Sequence, residues 1–332
     1  MRPRQLLARL RRRRGRGLVL LYHRVATAEF DPQLLCVTPD RFAEHLEVLE
    51  RLTVTVPLDR IHTVADTERG VPVAVTFDDG YADNLQAAAP LLEAHEVPAT
   101  FFAVSGQIGA DREFWWDRVE RALFEPDELP EALDLAIGQE VIRLEFADGT
   151  ASDRTWNVQR DDTPSPRHIA YRELTTRLRV LDTPRRDAVI DELSCWARVA
   201  PGVRSSHRPL DEAQLVRLDA HPQVSVGAHT VSHPVLAALS RSRQRDEIEQ
   251  SKRRLEVLLE HPVSSFSYPF GGHDEFTGAT VSAVVAAGFE RACANFEGRV
   301  GARTDRFQLP RLLVRDWSGE EFERRLRAWS GA

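Results

Sequence analysis

Val71-Pro72-Val73-Ala74-Val75-Thr76-Phe77-Asp78-Asp79-Gly80-Tyr81 passes from an apolar, β-branched run directly into two carboxylates and a glycine. An unbroken apolar run of this length, bounded by turn residues, suits a strand covered on both faces, so Val71 to Phe77 is read as a buried strand. Val224 to Ala228 has the same character, and it too is followed by ligand-grade side chains, in His229-Thr230-Val231-Ser232-His233. In α/β folds the ends of buried strands are where sites are built. One aspartate with two histidines is also a common way to hold a catalytic zinc while leaving one coordination position open. The two segments together point to metal-assisted hydrolysis.

The rest of the chain keeps a strand–helix rhythm. Leu18 to Tyr22 reads as a first strand ending in Tyr22-His23-Arg24. Thr38 and Pro39 open a helix, as N-cap and first helical residue, with Phe42, Leu46 and Leu49 inward. Ala82 to His95 reads as a helix stopped by Pro98, and Ala99 to Val104 returns as a strand. Strand, helix and strand joined by short connections imply a parallel sheet. After Val224, helices are expected over Ser240 to Glu260 and Thr280 to Gly288, with strands at Ser264 to Tyr268 and Arg291 to Ala294. Between about Asp111 and Arg208 the character changes, and an inserted α+β subdomain is expected. There Val141 to Phe146 and Arg154 to Val158, joined by Ala147-Asp148-Gly149-Thr150, read as a hairpin, followed by a helical stretch with Tyr171, Leu174, Leu178 and Val180. The organisation is then a basic arm over 1–16 and one large domain over 17–332 that carries the insertion.

Composition narrows the class. The 332 residues, 42% hydrophobic and 29% charged, are those of a globular protein with a sizeable core. A net charge of −7 argues against general nucleic-acid binding. Eight arginines and no acid occur before Gly17, so the arm is either a solvated tail or a contact for an anionic membrane. Cys36, Cys195 and Cys293 have no metal-type spacing and are expected to be reduced thiols. No stretch approaches the roughly 20 apolar residues of a membrane helix, nor a signal-peptide core. A cytoplasmic protein is the expectation, with peripheral contact to a membrane through the arm as the alternative.

Each motif also has a structural reading. Asp78 and Asp79 leave the backbone in different directions, so one could bind a metal while the other serves as general base, yet Asp-Asp-Gly is also an ordinary turn. His229 and His233, four residues apart, face the same way in a helix or tight turn, yet both could be structural.

In this order, Thr76-Phe77-Asp78-Asp79-Gly80-Tyr81, His229-Thr230-Val231-Ser232-His233 and Phe266-Ser267-Tyr268-Pro269-Phe270-Gly271 resemble the polysaccharide deacetylase family, the NodB-homology group of carbohydrate esterase family 4. Tyr22-His23-Arg24-Val25 and Thr100-Phe101-Phe102 match segments common in its longer members. The resemblance implies a distorted (β/α) barrel. It implies a divalent metal, zinc by preference with nickel or cobalt compatible, on Asp79, His229 and His233, and Asp78 as general base. It further implies removal of an N-acetyl or other small acyl group from an amino sugar in a polysaccharide, oligosaccharide or lipid-linked precursor. A backbone N–H near Phe270 would assist at the oxyanion, and Tyr81, Tyr268, Pro269 and Phe270 would contact substrate. Two departures stand out. Many members carry an arginine where this chain has Ser267, which leaves Arg311 or Arg315 to replace its charge. Many also supply a late histidine as general acid; none follows His273 here, so His23 becomes the candidate. The other reading is a catalytically impaired, carbohydrate-binding relative.

Overall fold

The computed structural model describes residues 17–63, 70–138, 140–146 and 154–331, so the basic arm lies outside the described residues. The chain divides into two compact units: residues 1–27, 36–108 and 210–332, and residues 28–35 and 109–209.

The first unit is built on a parallel sheet. Its strands are β1 (Leu18–Tyr22), β2 (Thr53–Thr55), β3 (Val71–Phe77), β4 (Ala99–Ala103), β5 (Val224–Ala228), β6 (Ser265–Ser267), β7 (Arg291–Cys293) and β8 (Leu312–Leu313). The path runs β7-β6-β5-β4-β3-β1-β8, with β2 paired to β3, and every pairing is parallel. The two ends of that path meet in one short stretch. Leu309 bridges Cys293 of β7, and three residues on, Leu312 pairs with Leu20 of β1. The sheet therefore curls until its edges share residues 309–313, which is the distorted (β/α) barrel expected from sequence.

The strands form because their residues are covered on both faces: all five of β1, all five of β4 and six of the seven in β3 are buried. Each such Val, Leu or Phe stabilises the fold by about 1.5–3 kcal/mol. Packing also dictates composition. A Cβ on Gly227 of β5 would lie 2.4 Å from the Phe102 ring, so only glycine lets β4 and β5 pair at this register.

Helices cover the sheet, and two of them depart from expectation. Pro39–Leu52 begins where predicted, but Thr38 does not cap it; its N–H and Oγ1 donate to Asp316 at 2.8 and 2.9 Å. The helix expected over Ala82 to His95 is a π turn at Asn84–Ala88 followed by a short α-helix at Ala89–Ala94. Pro90 lacks the N–H that would continue an ordinary ladder, and Asn84 is tied sideways through Nδ2 to the His23 carbonyl at 2.9 Å.

The second unit packs helices Trp115–Phe124, Pro166–Leu178 and Thr183–Trp196 around Trp156, Tyr171 and Leu174, all buried. Its hairpin differs from the expected one. Glu140–Glu145 pairs antiparallel with the preceding Ala132–Ile137, not with a strand after it. Leu133, Leu135 and Ile137 alternate inward, and Gly138 turns the chain at φ 68°. Arg154 to Val158 forms no strand; Trp156 there is buried, its Nε1 donating to the Asp162 carbonyl at 2.8 Å. The expected turn Ala147 to Thr150 lies outside the described residues. Cys36, Cys195 and Cys293 are free thiols. Among the described residues, no helix is long and apolar enough to cross a membrane.

Candidate active site

The C-terminal ends of neighbouring strands bring the sequence motifs together inside the first unit. After β3, the Asp78 N–H donates to the Tyr22 carbonyl at 3.0 Å, extending the ladder with β1 by one residue. Asp79 then turns into positive φ at 77°, with its carbonyl accepting from the Val104 N–H at 3.1 Å. That reversal sends the two buried carboxylates to different neighbours.

Asp79 faces the histidines. Its Oδ1 lies 3.8 Å from Nε2 of His229 and 3.6 Å from Nε2 of His233. One ligand atom from each of these three buried residues lies within 4.8 Å of the other two. His229 is oriented through its other nitrogen, Nδ1–H donating to the Ser267 carbonyl at 2.8 Å, which leaves Nε2 as a lone-pair donor toward Asp79. The donor set, the mutual distances and the fixed tautomer all fit a divalent cation such as zinc. The histidines sit on a strained turn rather than a helix: Thr230 and His233 have φ of 66° and 55°. The turn is pinned where the His233 N–H donates to Thr230 Oγ1 at 3.0 Å and the Gly106 N–H donates to the Val231 carbonyl at 2.8 Å. A Cβ on Gly106 would lie 2.3 Å from that carbonyl oxygen, so glycine is required for this approach.

Asp78 faces Arg311. The guanidinium grips it bidentately, Nη1 to Oδ1 at 2.8 Å and Nη2 to Oδ2 at 2.7 Å, while Nε donates to the Ala294 carbonyl at 2.7 Å. Ser267 completes the cradle, donating to Asp78 Oδ2 at 3.1 Å and accepting from Arg311 Nη2 at 2.9 Å. Of the two arginines proposed from sequence, Arg311 is the one on the carboxylate. It reaches there because residues 309–313 close the sheet beside β1 and β7. Burial by itself would raise the Asp78 pKa; the Arg311 charge and hydrogen bonds, with His229 and His23, outweigh it and hold the carboxyl well below the usual range.

His23, after β1, is half-buried and feels Asp78, Arg315 and Arg311. Burial pushes its pKa down to about 3; Asp78 opposes and the two arginines reinforce. Its ring is therefore uncharged near neutral pH. His273, which follows the last motif, is exposed and stacks on Phe296 at 4.3 Å.

The aromatic residues expected to contact substrate divide. Phe270 is half-buried, has φ 60° and meets the His233 ring edge-on at 4.8 Å. Tyr81 and Tyr268 are fully buried and Pro269 is buried as well. Tyr81 lies beneath the Arg24 guanidinium at 4.4 Å, and Arg24 is paired with Asp83 at 2.9 Å. Tyr268 stacks on Phe276 at 4.1 Å and donates to the Phe307 carbonyl at 3.0 Å. In this arrangement neither tyrosine offers a face to a ligand; both brace the loops that carry the site.

Two residues around the site were not read from sequence. Arg24, in Tyr22-His23-Arg24-Val25, locks the end of β1 to the turn after Asp79 through Asp83. Glu247 reaches the histidine turn from helix Arg241–Leu259. Its signal was present: Gln244, Glu247 and Ser251 are polar members of an otherwise apolar inward stripe with Ile248, Leu255 and Leu259.

A curled parallel sheet with a carboxylate and two imidazoles at its strand ends is the architecture of NodB-type deacetylases, and the comparisons agree. The polysaccharide deacetylase family profile matches residues 65–131 and 201–291, the same family that the motifs resemble. The fold is similar to that of the Streptococcus pyogenes deacetylase PplD, solved in complex with acetate, at 16% identity and a TM-score of 0.56, over 94% of this chain and 98% of that one. It is also similar to IcaB from Ammonifex degensii, at 17% identity and a TM-score of 0.55, over 96% and 98%. No curated protein matches the sequence.

Proposed function

We propose that this protein is a metal-dependent N-deacetylase acting on an amino sugar of a glycan or glycan precursor. One observation carries the reading: Asp79, His229 and His233 converge within 4.8 Å while a second buried carboxylate, Asp78, stands beside them with its own arginine. Asp79, His229 and His233 would hold the ion, zinc by preference, with nickel and cobalt suited to the same donors. When bound, the ion supplies Lewis-acid polarisation of an acyl oxygen and lowers the pKa of water.

Asp78 would act as general base. Held ionised by Arg311, it is ready at neutral pH to take the proton from water that attacks the acyl carbon. The amide C–N bond breaks, and the departing amine needs one proton, the number Asp78 has taken up. Asp78 returns it directly, or passes it to His23, which enters the cycle as a neutral imidazole and relays that same proton to the nitrogen. Phe270 would shape the acyl and sugar end of the site, and a backbone N–H beside it would support the developing oxyanion. The reading extends to lipid-linked as well as polymeric substrates, and to contact of the arginine arm with an anionic membrane, where roughly 1 kcal/mol per arginine is available.

A screen of acylated sugars and lipid-linked precursors, comparing wild type with Asp78→Asn, tests the proposal. The expected result is a fall in turnover of roughly 10²–10⁴-fold with metal still bound. Full activity in Asp78→Asn would remove the base from the mechanism. The uncharged His23 favours a second reading, a carbohydrate-binding relative that no longer turns over. Metal and glycan binding with no Asp78-dependent acetate release would establish it.

A further inference from the structure

We propose that Glu247 is a positioning residue whose carboxylate holds the turn bearing both histidines in ligating geometry. This rests on the metal-site reading above. Glu247 lies on the inward stripe of helix Arg241–Leu259 and is 9% exposed. Its Oε2 accepts the successive N–H groups of Val231 and Ser232, both at 2.9 Å, and its Oε1 accepts the Ser232 hydroxyl at 2.7 Å. Those two residues are the middle of His229-Thr230-Val231-Ser232-His233. A single carboxylate thus makes three charge-assisted hydrogen bonds to the three-residue span, Thr230 to Ser232, between the two histidines.

The turn needs such a clamp. Thr230 and His233 both hold positive φ without being glycine, a conformation that costs on the order of 1–3 kcal/mol per residue and persists only where surroundings over-determine it. From the opposite side, the Ser105 and Gly106 N–H groups donate to the Thr230 and Val231 carbonyls at 3.0 and 2.8 Å. The turn is therefore fixed through its carbonyls by the segment after β4 and through its N–H groups by Glu247. Removing the carboxylate leaves two N–H donors without this partner and frees the strained backbone to relax. His233 would then leave its place, since its own N–H is bound within the same turn to Thr230 Oγ1. His229 is anchored separately by the Ser267 carbonyl and would stay. The effect of Glu247 is thus expected on metal affinity, exerted through the backbone and without touching the ion.

The test uses the full chain and zinc alone, titrated against a chromophoric chelator, for wild type, Glu247→Gln, Glu247→Ala and Ser232→Ala. Thermal midpoints with and without zinc are measured beside it. Loss of an outer partner of a metal ligand commonly weakens binding roughly 10- to 100-fold, and that is the rise in Kd expected for both Glu247 variants, with Ser232→Ala intermediate. The zinc-induced rise in Tm should shrink in step, a change that a merely structural role would not produce, because such a role lowers the zinc-free and zinc-loaded midpoints equally. Zinc affinity within about twofold of wild type in folded Glu247 variants would overturn the proposal. Should both Glu247 variants fail to fold, Ser232→Ala carries the test, and unchanged affinity there overturns it. Wild type that takes up no zinc would instead overturn the metal-hydrolase reading itself, so the two failures are distinguishable.

Discussion

Two buried ion pairs, one in each unit, look alike and serve different ends. Asp78 and Arg311 pair bidentately in the first unit, with the carboxylate 4% and the arginine 1% exposed. In the second, Arg204 binds Glu113 through Nε at 3.1 and 3.2 Å and through Nη2 at 2.8 Å, and also pairs with Glu120 at 2.7 Å. Glu113 is 1% exposed, so burial of the carboxylate does not separate the two pairs, although the Arg204 side chain is 22% exposed where that of Arg311 is covered. Their surroundings do. Asp78 lies 3.7 Å from a histidine whose tautomer is fixed, on backbone that is strained at Asp79, Thr230, His233 and Phe270. Around Arg204 the partners are acids and carbonyls, and burial pushes Glu120 up even against the arginine. A buried charge is ordinary; a buried charge among convergent ligands on strained backbone marks a site.

Removing each arginine sharpens the contrast most. Arg311→Met strands a buried carboxylate and should cost about 3–5 kcal/mol in denaturant unfolding, whereas Arg204→Met leaves Glu113 with the residue-204 N–H at 2.7 Å and Arg121 at 3.7 Å and should cost less. Only Arg311→Met should also lower kcat, by roughly 100-fold, and shift the acid limb of the pH–rate profile upward, because burial then raises the Asp78 pKa unopposed. A changed pH profile in Arg204→Met would break the comparison. The stability gained by Asp78 from its depressed pKa is present above the ordinary carboxylate value and is lost as pH falls through the folded value. The gap between wild type and Arg311→Met should therefore narrow in strong acid.

His45 offers a buried titratable group away from the ligands. Burial lowers its pKa to about 4 against the hydrogen bond from Nε2–H to the Trp317 carbonyl at 2.8 Å. The unfolded chain takes up this proton near pH 6.5 and the folded chain refuses it until about 4, so stability falls with pH across that window. His45→Gln should flatten the fall by up to about 3 kcal/mol in pH-dependent unfolding, with kcat unaffected. The smallest effect concerns strain. Glu260, exposed and at φ 60°, merely ends helix Arg241–Leu259. Glu260→Gly should raise stability by about 0.5–1 kcal/mol without altering zinc affinity, in contrast to the strained residues around the ligands.

Most of the sheet and the three side chains that converge at its strand ends were legible in the chain. Val71 to Phe77, Leu18 to Tyr22 and Val224 to Ala228 are continuous apolar runs, and parallel strands covered on both faces advertise themselves in that way. The hairpin of the second unit was misread because its alternation, Leu133, Leu135 and Ile137, lies earlier than the more conspicuous Val141 to Phe146. The π turn before Pro90 escaped for a different reason: it depends on Asn84 reaching the end of β1, a partner 61 residues away.

Sequence alone thus determined most of the element types and the donor atoms that stand at the strand ends, because periodicity and side-chain chemistry are properties of neighbouring residues. It named Arg311 and Arg315 without choosing, since spacing within an irregular segment does not say which guanidinium turns inward. That choice, the burial of Tyr81 and Tyr268, and the grip of Glu247 on the histidine turn were decided by tertiary structure. Each depends on which distant strand end or helix face lies alongside, and that is fixed only once the parallel sheet has curled and brought its two edges together at residues 309–313.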